Sequence, residues 1–293
     1  MPDTTLRSFT AHDGSNLAVM DWPLPSGTPT RGLVVIVHGL GEHAGRYDHV
    51  AERLNSWGFA VRSYDQHGHG ESDGKPGALP SDSFLLDNLA ELLDTSRRRM
   101  DPRLPLILLG HSLGGLVAAR LVSLNLRKVD GLILSSPALD AGMNAFQRLL
   151  VRVLPRVAPN LRVGNGLDAR YLSHDAGVVQ AYRDDPLVHD RISARLARFI
   201  ADAGPAVLAC ASQWRVPTLL LYAGADRLVN PAGSRAFAAA APAGVVTTHC
   251  FEPLYHEIFN EVEREAVFAQ LKHWLDARFL AKTAQSRRQM VVD

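Results

Sequence analysis

The chain has 293 residues, 46% of them hydrophobic, and its 31 basic and 30 acidic side chains leave a net charge of +1. That composition supports a sizeable buried core and provides no global field to attract nucleic acid or an anionic surface. Two cysteines, no apolar run long enough for a bilayer span, and a start, MPDTTLRSFTAHDG, without a basic-then-apolar leader set the expectation of a soluble, cytoplasmic protein.

In chain order, residues 7–22 alternate around Asp13-Gly14-Ser15-Asn16, which predicts a β-hairpin. After the proline-rich linker Pro23–Pro29, apolar runs alternate with amphipathic segments. GLVVIVHG precedes a helix near Tyr47–Trp57, and FAVRSYD precedes one near Phe84–Met100. LPLILLG precedes a helix over Leu113–Leu126, and GLILSSP follows it. This alternation is the mark of an α/β protein, a mostly parallel sheet with helices on both faces. From about Ala138 to Pro205 no strand-like run occurs. The series resumes with PTLLLYAGAD, a helix near Gly233–Ala241, GVVTTHCFE and a closing helix around Val262–Leu280. The expected organisation is therefore a core over 1–137, a helical cap inserted over 138–205, the rest of the core over 206–282, and a tail over 283–293.

Between strand and helix lies LLGHSLGGL. Gly110-His-Ser-Leu-Gly114 matches the G-x-S-x-G turn that holds a nucleophilic serine in a crowded backbone conformation. No lysine follows the glycines, so a phosphate-binding loop is excluded, and the dinucleotide fingerprint is also absent. A serine nucleophile needs an imidazole to accept its proton and a carboxylate to orient that imidazole. In this topology the chain order is Ser, acid, His, each at a strand end. Ser112, Asp226 after TLLLYAGA and His256 after VVTTHCFEPLY meet that order, with Asp140 after LILSSP as the competing acid. The oxyanion hole would use the backbone amides of Leu113, the residue after the nucleophile, and of Leu40 in the VHGLGEH turn. Asp65-Gln66-His67-Gly68-His69 offers metal-ligand residue types without a further ligand set, so neither metal nor cofactor is expected. In the insertion, Phe146, Leu149, Leu150, Val153 and Leu154 share one helical face, opposite Arg148 and Arg152.

HGLGEHAGRY, DQHGHGES, GHSLGG, AGADRLV and YHEIFNE resemble the monoacylglycerol lipases and related serine hydrolases of the α/β-hydrolase fold, from about Arg31 to Phe279. The resemblance implies Ser112, Asp226 and His256 as the triad and Leu40 and Leu113 as oxyanion donors. It further implies that Glu42, Arg46 and, through YRDDPL, Tyr182 line the polar end of the pocket. One position departs from the mammalian pattern: a second histidine after the catalytic one is replaced by Phe259. The function implied is hydrolysis of a small lipid ester, with transient contact between the cap and a membrane surface and no nucleic-acid partner. A lysophospholipase, a short-chain carboxylesterase and a non-catalytic binding protein on the same fold are the alternatives.

Overall fold

The computed structural model describes residues 4–289. Strands β1 (Thr5–Thr10) and β2 (Asn16–Trp22) pair antiparallel, with Thr10 opposite Asn16 beside the turn. The first half of the core continues with β3 (Gly32–Val37), α1 (Asp48–Ser56), β4 (Phe59–Tyr64) and α2 (Phe84–Arg99). It is completed by β5 (Leu106–His111), α3 (Ser112–Ser123) and β6 (Gly131–Ser135). The insertion holds α4 (Ala145–Val157), β7 (Arg162–Gly164), α5 (Ala176–Asp184), β8 (Arg191–Ser193) and α6 (Ala194–Cys210). The core then resumes with β9 (Thr218–Ala223), α7 (Pro231–Ala240), β10 (Val246–Phe251) and α8 (Arg264–Gln289).

An 8-stranded sheet runs in the order β1-β2-β4-β3-β5-β6-β9-β10. β2 meets β4 antiparallel, and every neighbouring pair beyond β4 is parallel. Side chains along each strand alternate between two cores. Val35 and Val37 pack with Leu89 of α2, Leu116 of α3 and Val207 of α6. Val34 and Ile36 face the opposite layer, with Leu54 of α1 and Leu271 of α8. Each fully buried aliphatic side chain contributes about 1.5–3 kcal/mol, which explains why these strands read as unbroken apolar runs.

Three features differ from the sequence expectation. Helix α6 passes through the expected cap boundary, because Pro205 is accommodated inside it. Gly204 lets this helix approach the backbone of Leu139 too closely for any side chain. The cap is also not wholly helical: β7 and β8 pair antiparallel, Arg162 opposite Ser193. Helix α8 is described as far as Gln289, inside the segment read as a tail, and residues 290–293 lie outside the described residues. Among the described residues no helix is long and apolar enough to cross a membrane.

Candidate active site

Ser112 opens α3 directly from the end of β5 and adopts φ +53°, a conformation that a side chain normally avoids. Close packing maintains it. A side chain on Gly114 would collide with the backbone of Val37 and His38, and one on Gly110 with that of Gly114 and Gly115. The turn presents Ser112 to a cavity of about 520 Å³, whose wall also includes Leu40 and Leu113. Leu113 belongs to the first turn of α3, where N–H groups have no intrahelical acceptor and the helix dipole is positive. Gly39, in the turn of Leu40, packs beside Ser112: a Cβ on it would lie 3.3 Å from the Ser112 Cβ.

Asp226 and His256 leave the ends of β9 and β10. His256 Nδ1 lies 2.7 Å from Asp226 Oδ2, and Oδ1 accepts the amides of Leu228 and Val229 at 2.9 Å each. Burial disfavours the imidazolium, yet the Asp226 carboxylate outweighs it and raises the His256 pKa above the ordinary 6.5. Burial opposes the Asp226 charge too, but His256 and the two amides hold its pKa below the usual range. The His111 ring, adjoining Ser112, stands 4.8 Å from that of His256, so the pair lies beside the turn. His111 is driven down to about 4 by burial and by His256, which keeps it neutral at pH 7. Asp140 instead accepts from Asn230 Nδ2 at 2.7 Å and the Gly142 amide at 2.9 Å. The structure thus joins His256 to Asp226, not to Asp140.

Glu42, Arg46 and Tyr182 also come together. Glu42 accepts from the Gly39 amide, from Tyr47 Oη at 2.7 Å and from Arg46 at 2.6 Å. Arg46 reaches both oxygens of Glu257, at 2.7 and 2.8 Å, and its guanidinium lies 4.8 Å from the Tyr182 ring centre. Burial alone would raise the Glu42 pKa, yet Arg46 foremost, then His111 and His38, bring it to about 2. The three residues expected at the polar end of the pocket are thus held together: Glu42 and Glu257 pair with Arg46, and the Tyr182 ring lies against the same guanidinium. Glu257 escaped the sequence reading because its partner Arg46 lies on a distant segment and no spacing rule links them.

Residues 138–205 are fastened to the turn of Leu40 and to other loops of the core. The His189 amide donates to Gly41 O at 2.9 Å, and the Ser193 amide to Gly77 O at 2.9 Å. On the His256 side, the Glu257 amide donates to Leu172 O at 2.8 Å. Buried Glu261 accepts from the amides of Tyr255 at 2.7 Å and His174 at 3.0 Å. Asp65 accepts from the Ala44 amide at 2.7 Å and the Glu71 amide at 2.9 Å, so it fixes loops beside the site. Among the described residues, no cluster of His, Cys, Asp and Glu could hold a metal. Phe259 is buried against Phe268, their rings 5.2 Å apart.

The cavity wall is mainly apolar. Leu150, Val151 and Leu154 of α4 face Ala197 and Ile200 of α6, and Arg227 is the one charged side chain among the described residues that line it. Arg227 lies 4.8 Å from the ring centre of Tyr171. The apolar stripe of α4 is therefore divided. Leu150 and Leu154 border the cavity, Leu150 while still 43% exposed, whereas Phe146, Leu149, Val153 and Val157 lie outside its wall and are 66, 57, 49 and 75% exposed.

Compared with known proteins, residues 28–263 match the family described as serine aminopeptidase, S33. A monoacylglycerol lipase of Mycolicibacterium smegmatis is 36% identical over 85% of this chain and 89% of its own. The human monoglyceride lipase is 30% identical over 95% of this chain and 92% of its own. Among solved structures, the monoacylglycerol lipase of Paleococcus ferrophilus superposes with a TM-score of 0.80 at 36% identity, covering 89% of this chain and 99% of its own. The architecture is the α/β-hydrolase fold.

Proposed function

From the premise that this chain belongs to the serine aminopeptidase, S33, family, we propose that it hydrolyses carboxylic esters of monoacylglycerol-like lipids through an acyl-enzyme on Ser112. The observation that carries the reading is the buried His256–Asp226 pair set beside a strained serine that opens onto an apolar cavity. His256 Nε2 takes the Ser112 proton as Oγ attacks the ester carbonyl, while Asp226 holds the Nδ1–H tautomer. The amides of Leu40 and Leu113 stabilise the oxyanion. His256 then protonates the departing alcohol, and water repeats the sequence to release the fatty acid.

An ester suits this cavity better than a peptide with a free amino terminus. An α-ammonium needs a carboxylate partner, whereas the wall offers a single cation, Arg227, among its described residues. The acyl chain lies along the facing apolar sides of α4 and α6. Residues 138–205 act as the lid over that chain, and the outward residues Phe146, Leu149 and Val153 meet the lipid surface from which substrate is drawn. Esters of monoacylglycerol, lysophospholipid and p-nitrophenol, combined with fluorophosphonate labelling, test the reading. Labelling confined to Ser112 with monoacylglycerol as the fastest natural ester supports it. An unlabelled Ser112 in folded protein sinks it.

A further inference from the structure

Asn165, on the cap loop that follows β7, lines the cavity and carries a buried amide nitrogen that has no hydrogen-bond partner among the described residues. The other end of the same amide is committed: Oδ1 accepts the Leu167 amide at 2.9 Å. The backbone is committed too, since the Asn165 amide donates to Asp190 O at 2.6 Å. The side chain is thereby oriented, with two N–H donors left over. A buried donor without an acceptor is costly, and native proteins rarely keep one without a purpose.

Its neighbourhood indicates the acceptor. Nδ2 stands 3.5 Å from where a Gly41 Cβ would project, one residue past Leu40 in the oxyanion turn. Going outward from Ser112, the turn passes Gly39, Leu40 and Gly41 before it reaches Asn165. A donor at that end of the turn borders the cavity and can meet a substrate oxygen other than the carbonyl held at Leu40 and Leu113. The facing walls of α4 and α6 are apolar and suit the acyl chain. The polar groups of Glu42, Arg46 and Glu257 are already paired with one another, whereas Asn165 Nδ2 is not.

We propose that Asn165 is a specificity-determining residue that donates a hydrogen bond from the cap to a free hydroxyl of the substrate's alcohol moiety. The inference rests on the ester-hydrolase reading and adds the group that distinguishes a polyol ester from a simple alkyl ester. A site built to bond a substrate hydroxyl discriminates strongly against the analogue lacking it, because its own polar group is then left unpaired.

The test pairs a protein change with a substrate change: 1-octanoylglycerol against propyl octanoate, both kept below micelle formation, in the wild type, Asn165→Leu and Asn165→Ser. The serine retains an oxygen for the Leu167 amide, so it guards against a loop that collapses in the leucine variant. The wild type should prefer the glycerol ester by at least about tenfold in kcat/KM. Both variants should bring that ratio to within about twofold, mainly by losing activity on the glycerol ester. A ratio equal in all three proteins overturns the inference, and so does an equal loss on both esters, which would mark Asn165 as a carbonyl donor or a purely structural residue. Failure of the wild type to cleave either ester would instead overturn the ester-hydrolase reading itself.

Discussion

The carboxyl-end edge of the sheet, where its central strands finish, and helix α4 use apolar residues in opposite ways. In β3 every residue from Val34 to Val37 is completely buried, and the turns that follow the strands are fixed by that packing. In α4 the only buried residue is Pro155. Its leucines and valines divide between a cavity and the outside. Burial on both sides yields a rigid edge from which catalytic groups can be aimed to a fraction of an ångström, as proton transfer demands. Partial burial yields a surface that can receive a flexible chain. Chemistry and recognition are thus assigned to regions of different packing.

If that division holds, changes at the edge should act on turnover and changes on α4 should act on substrate presentation. The largest effect belongs to Ser112→Ala: ester turnover should fall on the order of 10⁴–10⁶-fold with an unchanged melting temperature. Near wild-type kcat in pure protein would break the contrast at its root. Next is Asp226→Asn, for which kcat should drop by about 10³–10⁴-fold, since the amide misorients the imidazole. Asp140→Asn should change it little, and a larger loss there would reassign the acid.

The pH profile sharpens the same point. His256 acts as a base when neutral, so kcat/KM should rise with pH through an apparent pKa above 6.5, the direction Asp226 imposes. Removing the Asp226 charge should move this limb to lower pH, because burial then acts with less opposition. A limb that stays in place would mean that another group titrates.

Arg46→Ala tests the edge through stability. It strands Glu42 and Glu257 in the interior, at a cost of about 3–5 kcal/mol, readable in chemical denaturation. The sign follows from Glu42. With its folded pKa at about 2 against an ordinary 4.5, its contribution is present above 4.5 and is lost as the pH falls towards 2. The variant loses that contribution, so acid unfolding should begin at higher pH. An unchanged acid transition would show that the cluster contributes nothing.

The smallest effect is expected on α4. Leu149→Ser with Val153→Ser, both outside the cavity wall, should reduce hydrolysis of micellar long-chain monoacylglycerol several-fold and hardly affect a soluble butyrate ester. Equal losses together with a lower melting temperature would make the helix ordinary core.

Most of the sheet is legible in the sequence because β3, β5, β6 and β9 are buried on both faces and read as short apolar runs between turn residues. Positions at strand ends follow from the same pattern, and Asp226 and His256 are among them. The ion cluster is not legible. Arg46 and Glu257 meet only after the whole sheet is assembled, and local periodicity carries no trace of such a pairing. Strands β7 and β8 are too short for alternation to register, and Pro205 reads as a break although a helix absorbs it. Asn165 is an ordinary loop residue in the sequence. Only the geometry reveals that one end of its amide is tied down and the other is not.

The backbone ties between cap and core carry a consequence for recombination. His189 and Ser193 donate to Gly41 and Gly77, and Glu257 donates back to Leu172, so the insertion is stitched to loops from three separate parts of the chain. The Gly41 and Gly77 positions leave no room for a side chain against residues of the cap. A chimera that exchanges residues 138–205 alone with a relative would bring a foreign backbone onto the turn that carries Leu40. The portable unit is larger and discontinuous: the cap travels with the Gly39–His43 turn, the Gly68–Gly77 loop and the Tyr255–Glu261 segment, or it does not travel.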